Sequence, residues 1–443
     1  TPTFPRGATM TVASLHRDTF IFPSTWRVTF VEPQSATPLP DLAVAVQEAL
    51  DHPLDSPPLR ELAHPGDQVV IAFPDATRAS PDRVFVPALL AELAQAGVRE
   101  QDVTLLCAVG MHRRSTEEEK AAKLGEEVLA RYRVVDHDPY DVIHLGDLEG
   151  IPLVVSRHLL EADLVIATGI VEPHQYAGYS GGSKTVVIGC GGEGTITATH
   201  CPAFLDRPGV RLGQVEGNPF QAFLRRGGAR VGLRFVLNAV VDPEGRAVAV
   251  RAGHPESVHD SLVTIARFLY EVPVERQFDV VIAGVDPPKD VNLYQASRAA
   301  TYIALSSAPA LRPGGFIILP ARIPEGAGQG VGERRFFRTL ARRRSLQQLL
   351  DDILEGSCLA GEQRAYMVAR TLLDHPIIVV GAEHPEVVEA CHMTPAATME
   401  EAFEIVRDWL GDHLEVLVVP HALHTIPVAP RREPSWASLA FLS

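Results

Sequence analysis

One rhythm restricts this chain more than any other feature. Short apolar runs, each stopped by glycine or by a knot of polar residues, alternate with amphipathic helical stretches. Residues 68–73 follow Pro65-Gly66-Asp67 and read as a buried strand. Residues 82–96, with Leu89, Leu90 and Leu93, read as a helix stopped by Gly97. Residues 103–109 form the next strand, closed by Gly110, and 163–168 another before Gly169. Between them Thr116, followed by Glu117, Glu118 and Glu119, has the form of a capping box. Short strands joined by helices imply parallel sheets covered on both faces. The expected class is therefore α/β.

Val240 to Gly245 breaks the rhythm as a hairpin joining 234–241 to 247–251. A helix over 256–269 then leads into 271–277, read as a linker. The rhythm restarts with strand 279–284, helix 293–306, strand 315–319, helices near 346–355 and 362–373, strand 377–381, helix 399–410 and strand 414–419. The expectation is two three-layer α/β domains with mainly parallel sheets and an active-site cleft between them. The first spans 1–270 and the second 275–410, and the strand near 414–419, within 411–443, is expected to return to the first. A Pro-rich tail after Val419 is expected to be extended.

At 443 residues, 46% hydrophobic and 21% charged, the chain has enough length and apolar content for two or three cores. A net charge of −15 argues against a nucleic-acid or membrane-surface role. The densest basic run, Arg334-Arg335 and Arg342 to Arg344, reads as a solvated helix face. No apolar stretch approaches the ~18 residues of a membrane span. Residues 1–22 lack the basic end and apolar run of a secretion signal. Five cysteines without a CxxC pair fit a reducing compartment, so a cytoplasmic location is expected.

In open α/β sheets the chemistry sits in loops leaving the carboxyl ends of strands, and the unusual polar clusters fall there. The densest is 172–200, with His174, Lys184 and His200 among seven glycines. Gly178, Gly181 and Gly182 would let a backbone approach an anion, with Ser180, Ser183 and Thr185 as donors. The segment lacks the last glycine of a P-loop, and a tight turn carrying a surface lysine fits it equally. Asp75-Ala76-Thr77-Arg78 follows the first strand, as a turn cap or as a carboxylate or phosphate grip. Gly110-Met111-His112-Arg113 follows the second and offers an acid or base. Tyr294, Gln295 and Arg298 share a helix face in the second half. The glycine-rich run 325–333 reads as a flexible loop.

Taken in order, Asp75/Thr77/Arg78, Gly110/His112/Arg113, Glu172/Pro173/His174, Ala177 through Lys184, His200 and Tyr294/Gln295/Arg298 resemble the nickel-dependent lactate racemase family of 2-hydroxyacid racemases and epimerases. The resemblance implies a nickel-pincer nucleotide, Ni(II) pyridinium-3,5-bisthiocarboxylic acid mononucleotide, attached covalently to Lys184 and loaded by separate biosynthetic enzymes. It implies His200 as the protein ligand to nickel, and Asp75, Ala76, Thr77, Arg78, Gly178, Ser180, Gly181 and Gly182 as the nucleotide's cradle. It implies His112 and His174 as paired acid and base, and Arg78, Tyr294, Gln295 and Arg298 as substrate contacts. The α-hydrogen beside a carboxylate is poorly acidic, so removal as hydride suits such a cofactor. Two alternatives stay open: a cofactor-independent racemase that moves a proton between two bases, and a non-catalytic protein that binds a nucleotide phosphate. Arg298 stands where the family commonly has lysine, and no Trp lies between Trp26 and Trp409; segment 362–366 occupies that region. Both departures point to a substrate larger or more acidic than lactate, malate-like, with Arg364 and Arg113 or Arg114 adding positive charge.

Overall fold

The computed structural model describes residues 12–15, 18–287, 289–341, 345–356 and 358–430. Two six-stranded sheets dominate. In the first, the spatial order is Ala247–Gly253, Leu233–Val241, Leu164–Ile170, Val69–Pro74, Val103–Ala108, Arg133–Asp136. All neighbours are parallel except the 233–241/247–253 hairpin. In the second, the order is Thr394–Ala396, Ile377–Val380, Leu311–Pro320, Phe278–Ala283, Glu415–Val419, Arg27–Phe30, parallel throughout. Every residue of 69–74 and 164–170 is buried, as a parallel strand covered on both faces requires.

Local signals hold where the side chains can satisfy themselves. Thr116 and Glu119 make both bonds of the capping box on helix Glu117–Leu124. Asn218 caps Pro219–Val231, which ends on left-handed Gly232 at φ 86°. Asn292 accepts from the Gln295 amide and starts helix Leu293–Ala304.

Two expectations about the chain's ends are corrected. Strand 415–419 does not return to the first sheet. It is apolar along nearly its whole length and needs a strand on each side, which 278–283 and the amino-terminal 27–30 supply. Residues 420–430 are not simply extended: Ile426–Val428 pairs in parallel with Glu271–Pro273, so the expected linker and tail are tied together. The tail beyond 430 and Arg342 to Arg344 lie outside the described residues. The 325–333 run is pinned, through Leu293 N–H to Gly326 O at 2.8 Å and Glu325 N–H to Val291 O at 3.0 Å. Among the described residues no helix is long and apolar enough to cross a membrane.

Strand order locates the crevices. In the first sheet the order reverses between 69–74 and 164–170; in the second, between 278–283 and 415–419. Loops leaving adjacent strands at such a point diverge to opposite faces and open a crevice at the carboxyl ends. The first crevice carries Asp75 to Arg78 and Glu172 to Lys184. The second carries Asp286, Lys289, His421 and His424.

Candidate active site

At the end of strand 69–74, the Asp75 carboxylate turns back on its own loop and across to the next. One oxygen accepts from the Thr77 amide and hydroxyl. The other lies 2.7 Å from His112 Nδ1. Burial pushes the Asp75 carboxyl up, but the hydrogen bond and charge of His112 outweigh it and hold it well below the usual carboxylate range. A carboxylate so committed would repel a phosphate. Asp75 therefore orients the His112 ring, with both of its oxygens engaged by Thr77 and His112. The His112 loop is anchored by the Gly110 amide on Gly189 O at 2.8 Å, and the imidazole is 56% exposed. Arg78 Nε is 3.7 Å from Glu172 Oε1, while Ala76 and Thr77 are exposed at the loop tip.

The 172–184 loop is packed against protein. Gly178 has φ +76°, and a Cβ there would lie 2.0 Å from Gln214 O; at Gly181, φ +87°, it would lie 2.7 Å from Val171 Cγ2. The Gly182 amide donates to Asn238 Oδ1, and the Ser180 hydroxyl is spent on Ile170 O and Glu172 N–H. Backbone shape and internal packing thus account for the glycines at 178 and 181 and for the Ser180 hydroxyl. What the loop presents outward is Lys184, at the start of a π-helical turn, Thr185–Gly189, a form concentrated at functional sites. Among the described residues its amine has no hydrogen-bond or ion-pair partner. Burial, then Arg78, brings it down to about 7.

His174, the other acid/base candidate, does not lie in an exposed loop. It is half-buried in a two-residue ladder, Pro173–His174 with Gly178–Tyr179. Its Nδ1 accepts from the Tyr176 and Ala177 amides at 3.3 and 3.2 Å, so the neutral ring carries its proton on Nε2. Burial, then Lys184 and Arg298, holds His174 well below the ordinary histidine value. His200 closes helix Glu193–Thr199. Its Nδ1 lies 2.9 Å from Ile196 O, a group that only accepts, which leaves the Nε2 lone pair free. Burial, then Lys184, lowers it to about 4. Tyr176 stands between the two histidines, ring centroids 5.8 and 5.4 Å away.

The second half supplies the far wall. Arg298 Nη2 donates to Tyr302 Oη at 3.0 Å, and that hydroxyl is 3.3 Å from Pro173 O in the His174 ladder. Arg364 is 4% exposed; it donates to Gln175 Oε1 at 2.9 Å and Thr301 Oγ1 at 3.3 Å and covers the Tyr294 ring at 5.6 Å. Arg113 and Arg114 are elsewhere: exposed, they pair with Glu119 and Asp138, which removes them from the expected pocket charge. Sequence reasoning passed over Lys289, Gln175 and Tyr176 as site residues. Lys289 could have been found by the rule that found Asp75, since it lies in the loop leaving a strand's carboxyl end.

The fold and site define a class: a two-sheet α/β enzyme whose polar residues converge where two switch-point crevices meet. Residues 16–213 match the lactate racemase N-terminal domain and 274–426 the lactate racemase C-terminal domain. The lactate racemases of Thermoanaerobacterium thermosaccharolyticum and Lactiplantibacillus plantarum are each 30% identical over 389 residues, 86% of this chain and 89% and 90% of theirs. The structure of the Thermoanaerobacterium thermosaccharolyticum lactate racemase apoprotein superposes with a TM-score of 0.83 at 27% identity, over 96% of this chain and all of that one. A Thermotoga maritima protein, 18% identical with a TM-score of 0.68 over 90% of this chain and all of that one, shares the fold. The chain belongs to the lactate racemase family and is an isomerase, a racemase. That sets aside the non-catalytic phosphate-binding alternative.

Proposed function

We propose that this enzyme inverts C2 of a 2-hydroxyacid by reversible hydride transfer, in the cytoplasm, with a nickel-pincer nucleotide loaded by dedicated biosynthetic enzymes. The observation that carries the reading is the complementary state of its two histidines. His112, with Nδ1 facing Asp75, has its Nε2 lone pair available to take the hydroxyl proton. His174, with Nδ1 facing two amides, has Nε2–H available to give one. One proton taker and one proton giver are what an inversion needs at any moment.

The residues present fit the cofactor. Tyr176 Oη, Gln295 Oε1, Arg298 Nε and Arg364 Nε are buried without hydrogen-bond partners among the described residues, an arrangement that a polar ligand would complete. No group of three or more metal-ligating side chains occurs among the described residues. His200 Nε2 would therefore be one ligand to nickel, with soft sulfur from the bound group as the others. The Lys184 amine, about half of it neutral near pH 7, suits a thioamide link. When bound, the group supplies an acceptor for the C2 hydride. Arg78, Gln295 and Arg298 orient the carboxylate, with Tyr294 lining the pocket. The planar fork of Arg298 and the buried cation of Arg364 favour a substrate with a second acidic group, malate-like.

Mass spectrometry should find added mass on the Lys184 peptide, with nickel, in protein co-produced with the loading enzymes, and neither in Lys184→Ala. Racemisation in heavy water should give product with little deuterium at C2. The poised Lys184 amine also suits the two-base proton mechanism, and stoichiometric deuterium at C2 would establish that reading instead.

A further inference from the structure

Lys289 has no role in the reading above. It stands on the single turn Lys289–Val291, between the end of strand 278–283 and Asn292, the cap of the helix that carries Arg298. Its amide bonds Asp286 O at 2.8 Å, fixing the turn. The side chain is half-buried, and among the described residues the ammonium has no hydrogen-bond or ion-pair partner. Its surroundings identify the space it enters. Burial, then Arg298 and Arg78, brings it down to about 7, against the opposing pull of Glu172 and Asp75. Lys289 thus reaches from the second sheet's crevice to the mouth of the first.

The charges there do not balance. Arg78, Lys289 and Arg298 share Glu172 as their nearby uncommitted carboxylate, because Asp75 serves His112. Glu172 is itself 3.7 Å from Arg78. At the other end Arg364 is buried against Gln175, Thr301 and the Tyr294 ring, all neutral. Buried guanidiniums cannot shed their charge and need an anion, which the described side chains do not supply in sufficient number, and an anion drawn to Arg78 and Arg298 would hold the Lys289 amine charged beside them.

We propose that Lys289 is a substrate-binding residue that joins Arg78 and Arg298 around the C1 carboxylate, while Arg364 receives a second anionic group at the far end of the substrate. The pocket then selects 2-hydroxyacids whose side chain ends in a carboxylate or a phosphate. This rests on the racemase reading. It also gives that reading a mechanical element, because the carboxylate is gripped from both sheets at once.

The test is equilibrium binding by calorimetry to the cofactor-loaded enzyme. The probes are propionate, succinate and 3-phosphopropionate, which lack the reacting hydroxyl and are not turned over. Succinate or 3-phosphopropionate should bind at least tenfold more tightly than propionate, and whichever is tighter identifies the second group. Lys289→Met should weaken all three acids by about 10- to 100-fold, the loss of one charge-assisted hydrogen bond. Lys289→Arg should stay within a few-fold of the parent. Arg364→Met should weaken only the two dianions. Nicotinic acid mononucleotide, titrated against cofactor-free protein, should bind parent and Lys289→Met alike. The proposal is overturned if Lys289→Met changes no acid's affinity, if it weakens only the mononucleotide, or if no acid binds. Absence of turnover with intact acid binding would sink the racemase reading and leave the assignment of Lys289 standing.

Discussion

Lys184 and Lys289 are unusual lysines in being brought to about 7 by burial beside arginines rather than raised by an acid. An unfolded lysine titrates near 10.4. Between about pH 7 and 10 the unfolded chain therefore binds more protons at these sites, and their contribution to stability rises with pH, opposite in sign to a lysine held in an ion pair. In urea unfolding at pH 6.5 and 9, Lys184→Met/Lys289→Met should be more stable than the parent at pH 6.5, and the difference should shrink by pH 9. A constant difference would mean that neither amine is depressed. Asp75 carries the other residue-scale prediction. An asparagine there can present N–H to His112 Nδ1 and move the ring proton to Nε2, disabling the base. Asp75→Asn should cut kcat by about 10²- to 10⁴-fold with a nearly unchanged melting temperature. Full activity would show that Asp75 does not set the tautomer.

Elements matter here for what they aim. Helix 293–304 begins where Asn292 accepts the Gln295 amide, and it carries Tyr294, Gln295 and Arg298 on its first turns. Helix 117–124 begins with the capping box of Thr116, on the surface and distant in role. Removing either cap should cost about 1 kcal/mol. Asn292→Ala should also raise KM, because fraying begins under the substrate contacts, whereas Thr116→Ala should leave KM unchanged. Equal kinetic effects would mean that the Asn292 cap does not position the pocket. The Thr116 capping box was readable as a sequence pattern; the Asn292 cap emerged with the structure. The π-helical turn after Lys184 was not readable either: nothing in Thr185-Val-Val-Ile-Gly189 distinguishes it from an α-helical start. Its form depends on packing with the strand ends around it, including the Gly110 amide on Gly189 O.

At the scale of the molecule, the halves are tied around the cleft at several points. Asp206, after the short helix Pro202–Leu205, receives the Tyr366 hydroxyl and the Arg370 guanidinium from helix Glu362–Asp374. Arg364 on the same helix reaches Gln175, and Tyr302 reaches Pro173. Asp206→Ala should therefore speed amide hydrogen exchange in both 202–206 and 362–374, lower kcat/KM, and leave exchange in 117–124 unaltered. Faster exchange on one side alone would show that Asp206 does not couple them.

The sequence by itself determined the element types, the loops that carry chemistry, and the family. Apolar runs, caps and glycine stops are local, and the motif residues keep their order along the chain. It did not determine strand order. A strand's own residues state that it is buried on both faces, but not which strands lie beside it. Hence 415–419 was assigned to the wrong sheet and 27–30 passed unnoticed. Tertiary structure alone decided that the two order reversals face one another, that Asp75 belongs to His112, and that the glycines of 178–182 pack against protein. It alone brought Lys289 and Arg364 to a cleft whose first residues, beginning at Asp75, lie far away along the chain. Each is a long-range contact between side chains whose local sequence is equally compatible with solvent, and only the folded neighbours remove that choice.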